Sequence, residues 1–226
     1  MIPIRDTITA QRTCWVVRAL VLANVGLFLV EVLQGPSLEA FLYRFGVVPV
    51  YWVSGHSSGL FQWPQLAATL VTSQFLHGSL LHLGSNLLYL WIFGDNVEDR
   101  LGHGRFLLLY LTSGAAAAVA QLVADPSASV PMIGASGAIA GVLGAYFLMF
   151  PFARITTLVP MWIMWEFVEL PAFLFLGFWF ALQWLQGMMT IGQVADVGGV
   201  AGWAHVGGFV SGVVLVFGLQ PRRRMG

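Results

Sequence analysis

Five polar side chains stand out in a chain that otherwise spends little on polarity: Ser136, His205, His82, Asn86 and His77. A serine and a histidine can act as nucleophile and general base, and a histidine and an asparagine can hold a developing oxyanion. In "FLHGSLLHLGSNLLYLW", His82 and Asn86 are four residues apart and share a helix face, whereas His77 lies five before His82, about 140° away at helical pitch. That spacing suits no two-histidine metal site, and no HExxH pattern accompanies it, so no metal or other cofactor is expected. On its own the pair reads equally well as interhelical hydrogen-bond glue.

In "PMIGASGAIAG", Pro131 and Gly134 predict a loop that ends where Ser136 starts a helix. The first amides of a helix lack intrahelical acceptors and can stabilise negative charge, but a serine there also serves as an N-cap or a small packing residue. The hydrolase elbow GxSxG is absent, because Ala138 occupies its last position. In "GWAHVGGFVSG", His205 is flanked by Ala204, Gly207 and Gly208, so another helix can approach it closely.

What must position these groups is a membrane bundle. Of 226 residues, 58% are hydrophobic and 9% charged, and the mean hydropathy is +0.81. A soluble domain carries roughly a quarter charged residues, so the class is an all-α polytopic membrane protein. Six spans are predicted, at about Trp15–Leu33, His82–Phe93, Phe106–Val123, Ser136–Phe150, Leu170–Met188 and Gly199–Leu219, the second beginning further upstream near Phe75. Between the first two, Gln34–Gln74 is aromatic and broken by Gly and Pro, which predicts a loop or hairpin in the outer interface. Thr156–Glu169 is expected as a re-entrant or interfacial helix, and the chain as one membrane domain over 1–226 with short tails.

All ten basic residues are arginine. With six spans, Arg5, Arg12, Arg18, Arg100, Arg105, Arg154, Arg222, Arg223 and Arg224 fall to one side and Arg44 to the other, which puts both termini in the cytoplasm. No basic face can be drawn, so nucleic acid is excluded as a partner. The single cysteine, Cys14, builds neither a disulfide framework nor a thiolate metal site.

The spans suggest how the polar groups meet. Ser136, Ala140 and Gly144, with Gly137 and Gly141 beside them, face a matching stripe of Ala204, Gly208 and Gly212, so spans four and six can pack with backbones nearly touching. Ser136 and His205 then come to one seam at similar depth, with His82 and Asn86 on a third helix. Asp125 and Asp196 sit in predicted outer loops and Asp95 near the inner end of span two, so a Ser/His dyad is expected rather than a triad.

"HLGSN" around His82 and Asn86, "GASG" over Gly134–Gly137 and "AHVGG" around His205, in this order on spans two, four and six, resemble the bacterial rhomboid intramembrane serine proteases of the six-helix type. "NVEDRLG" resembles that family's Glu-x-Arg feature at Glu98 and Arg100. The resemblance implies Ser136 as nucleophile, His205 as base, and His82, Asn86 and the Ser136 amide as oxyanion hole. It also implies that Gly134 lets its loop approach the scissile carbonyl, that His77 is a supporting polar residue, and that Glu98 and Arg100 organise the cytoplasmic loop. The substrates implied are transmembrane proteins within the lipid bilayer, entering past "FLFLGFWFALQW" of span five. This chain carries Ala140 where some members have a tyrosine stacked on the histidine. Two other functions stay open: a silent rhomboid-like protein that binds membrane clients, and a small transporter with a histidine relay. The expected setting is a bacterial inner membrane or its equivalent.

Overall fold

The computed structural model describes residues 1–55, 62–161, 164–190 and 201–220. Asp196 and Arg222–Arg224 lie outside the described residues. Helices α1 (Trp15–Leu33), α2 (Leu38–Phe45), α3 (Trp63–Thr72), α4 (Leu80–Leu101), α5 (His103–Ala124), α6 (Ser136–Met149), α7 (Ala172–Thr190) and α8 (Gly202–Leu219) form the bundle. Among the described residues, α1, α5, α7 and α8 are long and apolar enough to cross a membrane, and α6 is a shorter apolar helix. Large apolar side chains such as Leu22 and Leu33 of α1, Leu185 and Met189 of α7 and Phe217 of α8 face outward, as a lipid solvent permits.

Helix α6 is the centre. Every residue from Gly137 to Tyr146 is buried, which explains its apolar character all round rather than along one stripe. It packs chiefly on α8 and α5, and also on α4. Phe93 of α4 meets Tyr146 edge-on at 5.0 Å, over a core that includes Leu90, Phe106, Leu109 and Leu143. The α6–α8 seam is glycine against backbone. A Cβ on Gly208 would overlap the Gly137 carbonyl, one on Gly212 the Gly141 carbonyl, and one on Gly144 the Phe209 carbonyl. Helix α5 completes the seam, since Ser113 occupies the space beside Gly141.

Helix α4 differs from the expected second span. It starts at Leu80, where the Ser79 hydroxyl accepts from the His82 amide at 3.1 Å, and Ser73–Phe75 is a separate 3-10 turn. It also continues through Asp95, Glu98 and Arg100 to Leu101, so the Glu-x-Arg feature is the last turn of a helix and not a loop. Glu98 is 1% exposed, and its oxygens accept from the Val16 and Val17 amides at 2.9 and 2.7 Å, satisfying the open N-terminus of α1. A third contact, at 2.5 Å, is to Nδ1 of His103. Arg100 is exposed beside this cluster. A one-residue corner, Gly102 at φ +84°, turns α4 into α5.

The segment Thr156–Glu169 is a β-hairpin rather than a helix. Strands β1 (Ile2–Asp6), β2 (Arg154–Met161) and β3 (Met164–Pro171) form an antiparallel sheet in the order β1-β2-β3. Arg5 and Glu169 both pair with Thr156. The β-branched run Ile155, Thr156, Thr157 with Val159 favours this, and Ile155 and Thr157 are fully buried. Asp6 ties the sheet to the bundle, accepting from Asn96 Nδ2 at 2.8 Å and from the Tyr146 hydroxyl. Burial pushes the Asp6 carboxyl above its usual range, against the lowering effect of these donors.

Between α1 and α4 the aromatic segment forms the short helices α2 and α3. Its Val47 bridges to Met132, with N–H to O distances of 3.1 and 2.7 Å, and Val50 N–H donates to Ala128. The segment therefore braces the loop that precedes Ser136.

Candidate active site

Helix α6 has 14 residues, about 21 Å at helical rise, against roughly 30 Å of hydrocarbon. Helix α6 is thus shorter than the hydrocarbon core, and a polar reaction at its first residue, Ser136, needs a cavity that admits water. One is present: a space of about 1110 Å³ whose walls include Ser136, His205, His82 and Asn86. The starts of α4, α6 and α8 converge on it, each carrying its polar residue within the first two turns. Ser136 and His205 share this cavity without a direct hydrogen bond between them, as is common before substrate binds.

Gly134 adopts φ +122°, and a Cβ there would sit 2.7 Å from Cε1 and Nε2 of His82 and 3.7 Å from Nδ2 of Asn86. Only glycine lets the loop backbone lie against this pair. Its amide is fixed by the Ser73 carbonyl at 2.9 Å. The Asn86 amide nitrogen is buried with no protein partner, as are both ring nitrogens of His77. An unpaired donor at a cavity wall is a poised one, because a bound acceptor removes the cost of leaving it unsatisfied. His77 packs edge-on against His82 at 5.1 Å, and its backbone amide is held by both carboxylate oxygens of Glu31 at 3.1 and 3.0 Å. His77 thus buttresses His82.

His205 is 9% exposed and its Nδ1 lies 2.5 Å from Oε1 of Gln183 on α7. The Trp179 ring, one turn earlier, lies over the imidazole at 5.8 Å and 35°. Ala140 leaves the histidine no aromatic partner on α6, and Trp179 supplies one from α7. Gln183, Trp179 and Glu31 are the residues that sequence reasoning missed. The first two had a signal, since they are spaced i and i+4 on one face of span five. Glu31 had one too, as an unpaired carboxylate within an apolar helix.

Together these features define a class: an integral membrane bundle in which a serine, a histidine and two amide or imidazole donors border one cavity. Comparison with known proteins narrows it, since the Rhomboid domain family model matches residues 64–222. The chain belongs to the rhomboid family. It is 33% identical over 147 residues to Rhomboid protein 1, mitochondrial, of Saccharomyces cerevisiae, covering 63% of this chain and 39% of the yeast protein. Against Rhomboid protease GluP of Bacillus subtilis it is 47% identical over 76 residues, 34% of this chain and 14% of that protein. RHOMBOID-like protein 6, mitochondrial, of Arabidopsis thaliana is 28% identical over 239 residues, 94% of this chain and 71% of the plant protein. The chain thus spans well under half the length of the first two relatives.

Proposed function

We propose that this rhomboid protein is an intramembrane serine endopeptidase that cleaves transmembrane segments of other proteins. The observation that carries the reading is the meeting of Ser136, His205, His82 and Asn86 at one cavity, with the Asn86 donor buried and unpaired. Relatives whose names include protease support it. In the first step Ser136 Oγ attacks the scissile carbonyl carbon while its proton passes to Nε2 of His205. The oxyanion is held by His82, Asn86 and the Ser136 amide. Collapse breaks the C–N bond, and His205 returns the proton to the leaving amine. Water then adds to the acyl group by the same route and restores Ser136. Gly134 keeps the covering loop thin enough for an extended substrate segment to reach the donors.

The described arginines support an orientation. Arg5, Arg12, Arg18, Arg100, Arg105 and Arg154 belong to β1, the approach to α1 and its first turn, the α4–α5 corner and β2, which contact one another at the end away from the cavity. Arg44 lies on α2, beside the loop leading to Ser136. By the positive-inside rule the cavity faces outward and both termini face the cytoplasm.

The test uses detergent-purified protein, a transmembrane substrate with a helix-destabilising segment, and the Ser136→Ala and His205→Ala variants. Cleavage should be lost in both variants, and a fluorophosphonate should label the wild type at Ser136. Cleavage that survives Ser136→Ala would remove the dyad. A protein that neither cleaves a panel of substrates nor labels is instead a binder of membrane clients.

A further inference from the structure

Three features set His205 apart from an ordinary core histidine. Its Nδ1 is 2.5 Å from the Gln183 side-chain oxygen, both residues are more than nine-tenths buried, and Trp179 covers the ring face. With the Gln183 oxygen as acceptor, Nδ1 carries the proton, and a neutral imidazole then presents a lone pair on Nε2. Both contacts come from α7, a helix whose main neighbour is α8 and whose outer face is apolar and exposed at Leu174, Phe178, Leu182 and Leu185. What holds α7 to α8 here is a close glycine contact. A Cβ on Gly202 would lie 2.5 Å from the Gly187 amide nitrogen and 2.9 Å from the Gln183 carbonyl oxygen, and one on Gly187 would lie 3.1 Å from the Trp203 ring.

We infer that Gln183 is a positioning residue for His205: its side-chain carbonyl selects the Nδ1–H tautomer and fixes the ring plane, so that Nε2 is a competent base only while α7 is docked on α8. The inference rests on the reading of His205 as the base. Gln183 does for orientation what the acid of a triad does, but without a charge. Its seat on α7 makes alignment of the base depend on a helix other than the two that carry Ser136 and His205. Separation of α7 from α8 removes the acceptor and the Trp179 face together.

The experiment compares wild type, Gln183→Leu and Gln183→Glu in detergent. Leucine keeps the bulk and loses the acceptor, whereas glutamate keeps an acceptor at the same reach. Gln183→Leu should lower kcat on the order of ten- to a hundredfold with KM nearly unchanged, and Gln183→Glu should restore a large part of the loss. The second readout is independent of activity. In protein labelled with ¹⁵N-histidine, the His205 resonances should report Nδ1–H in the wild type and a shift toward Nε2–H in Gln183→Leu. Wild-type kcat or an unchanged tautomer in a folded Gln183→Leu protein overturns the inference. A wild type inactive on every substrate removes the protease reading while the tautomer measurement still judges the role of Gln183.

Discussion

The α6–α8 seam offers the sharpest test of how packing serves the site. In Gly208→Ala the new methyl would overlap the Gly137 carbonyl, and it would also meet the Ala140 side chain at 3.2 Å. Real Cβ atoms essentially never come closer than 3.0 Å to another heavy atom, and the obstacle is backbone, which cannot rotate away. Relief therefore requires the two helices to part by on the order of 1 Å, and overpacking of that kind costs about 1–3 kcal/mol. Gly137 is the residue after Ser136, and Gly208 lies one turn beyond His205, so the separation is imposed beside the two residues proposed to react. A displacement of about 1 Å between reacting groups can cost about a hundredfold in rate. The assay is turnover of a transmembrane substrate together with the unfolding midpoint in detergent. Gly208→Ala should lose both, about a hundredfold in kcat and several degrees in Tm. The control is Gly177→Ala on α7, where nothing lies within 4 Å of the added carbon. That change should leave stability equal or higher by up to about 1 kcal/mol, as helix propensity alone dictates. Gly208→Ala with wild-type rate and stability would refute the claim that the glycine contact sets the spacing of the site.

Other perturbations probe the donors and the inner face. Asn86→Ala should lower kcat by about a hundredfold, because one preorganised oxyanion donor is worth that much, with little change in Tm; an unchanged rate would remove Asn86 from the hole. Glu98→Ala strips the acceptor from the Val16 and Val17 amides and should destabilise by about 2–4 kcal/mol, read as a lowered detergent unfolding midpoint. Cys14 is buried, donates to the Asp95 carbonyl at 3.1 Å, and has its thiol pushed up to about 11 by burial and then by Glu98. A maleimide at pH 7 should therefore label it slowly in the folded protein and promptly after unfolding. Asp6 has a folded-state pKa above the ordinary 3.8, so between those values the native state holds more protons than the unfolded chain. Its contribution to stability is therefore greatest at low pH and is lost as pH rises through the window. Asp6→Asn should abolish that part of the pH slope in the unfolding midpoint and cost little at neutral pH.

The bundle was legible because hydropathy and length leave few alternatives for a chain with 9% charged residues. The first span was readable to the residue at Trp15–Leu33. The second was not, because α4 runs past the apolar stretch into a polar tail whose cost is offset by partners distant in sequence. Glu98 meets residues 16, 17 and 103, and Asn96 meets residue 6, and no local pattern announces such pairings. The hairpin was misread for a different reason. Its aromatic content drew attention to the membrane interface, while the β-branched run from Ile155 and the strand contributed by residues 2–6 decided the conformation. The small-residue stripes gave the right pair of helices for the seam. The contacts within it are more specific, with Gly137 and Gly141 carbonyls opposite Gly208 and Gly212.

Beside Ser136 and His205, a neutral third member suits this bundle better than a carboxylate. An isolated carboxylate facing the buried His205 would have to be desolvated inside the bundle, where an unpaired charge is costly and needs compensation. A glutamine side chain offers the same acceptor geometry for a far smaller desolvation cost, provided both its partner and its packing are fixed. Gln183 meets that condition, with its oxygen on Nδ1 of His205 and its helix seated against α8 through Gly187 and Gly202. Of the aspartates weighed for that role, Asp125 accepts from the Ser127 hydroxyl at 3.1 Å and Asp95 accepts from the Asn96 amide at 2.7 Å far along α4, so neither is engaged with His205. A neutral residue on a neighbouring helix is invisible to a search for charge, and it becomes visible once the question is which groups can point at the histidine.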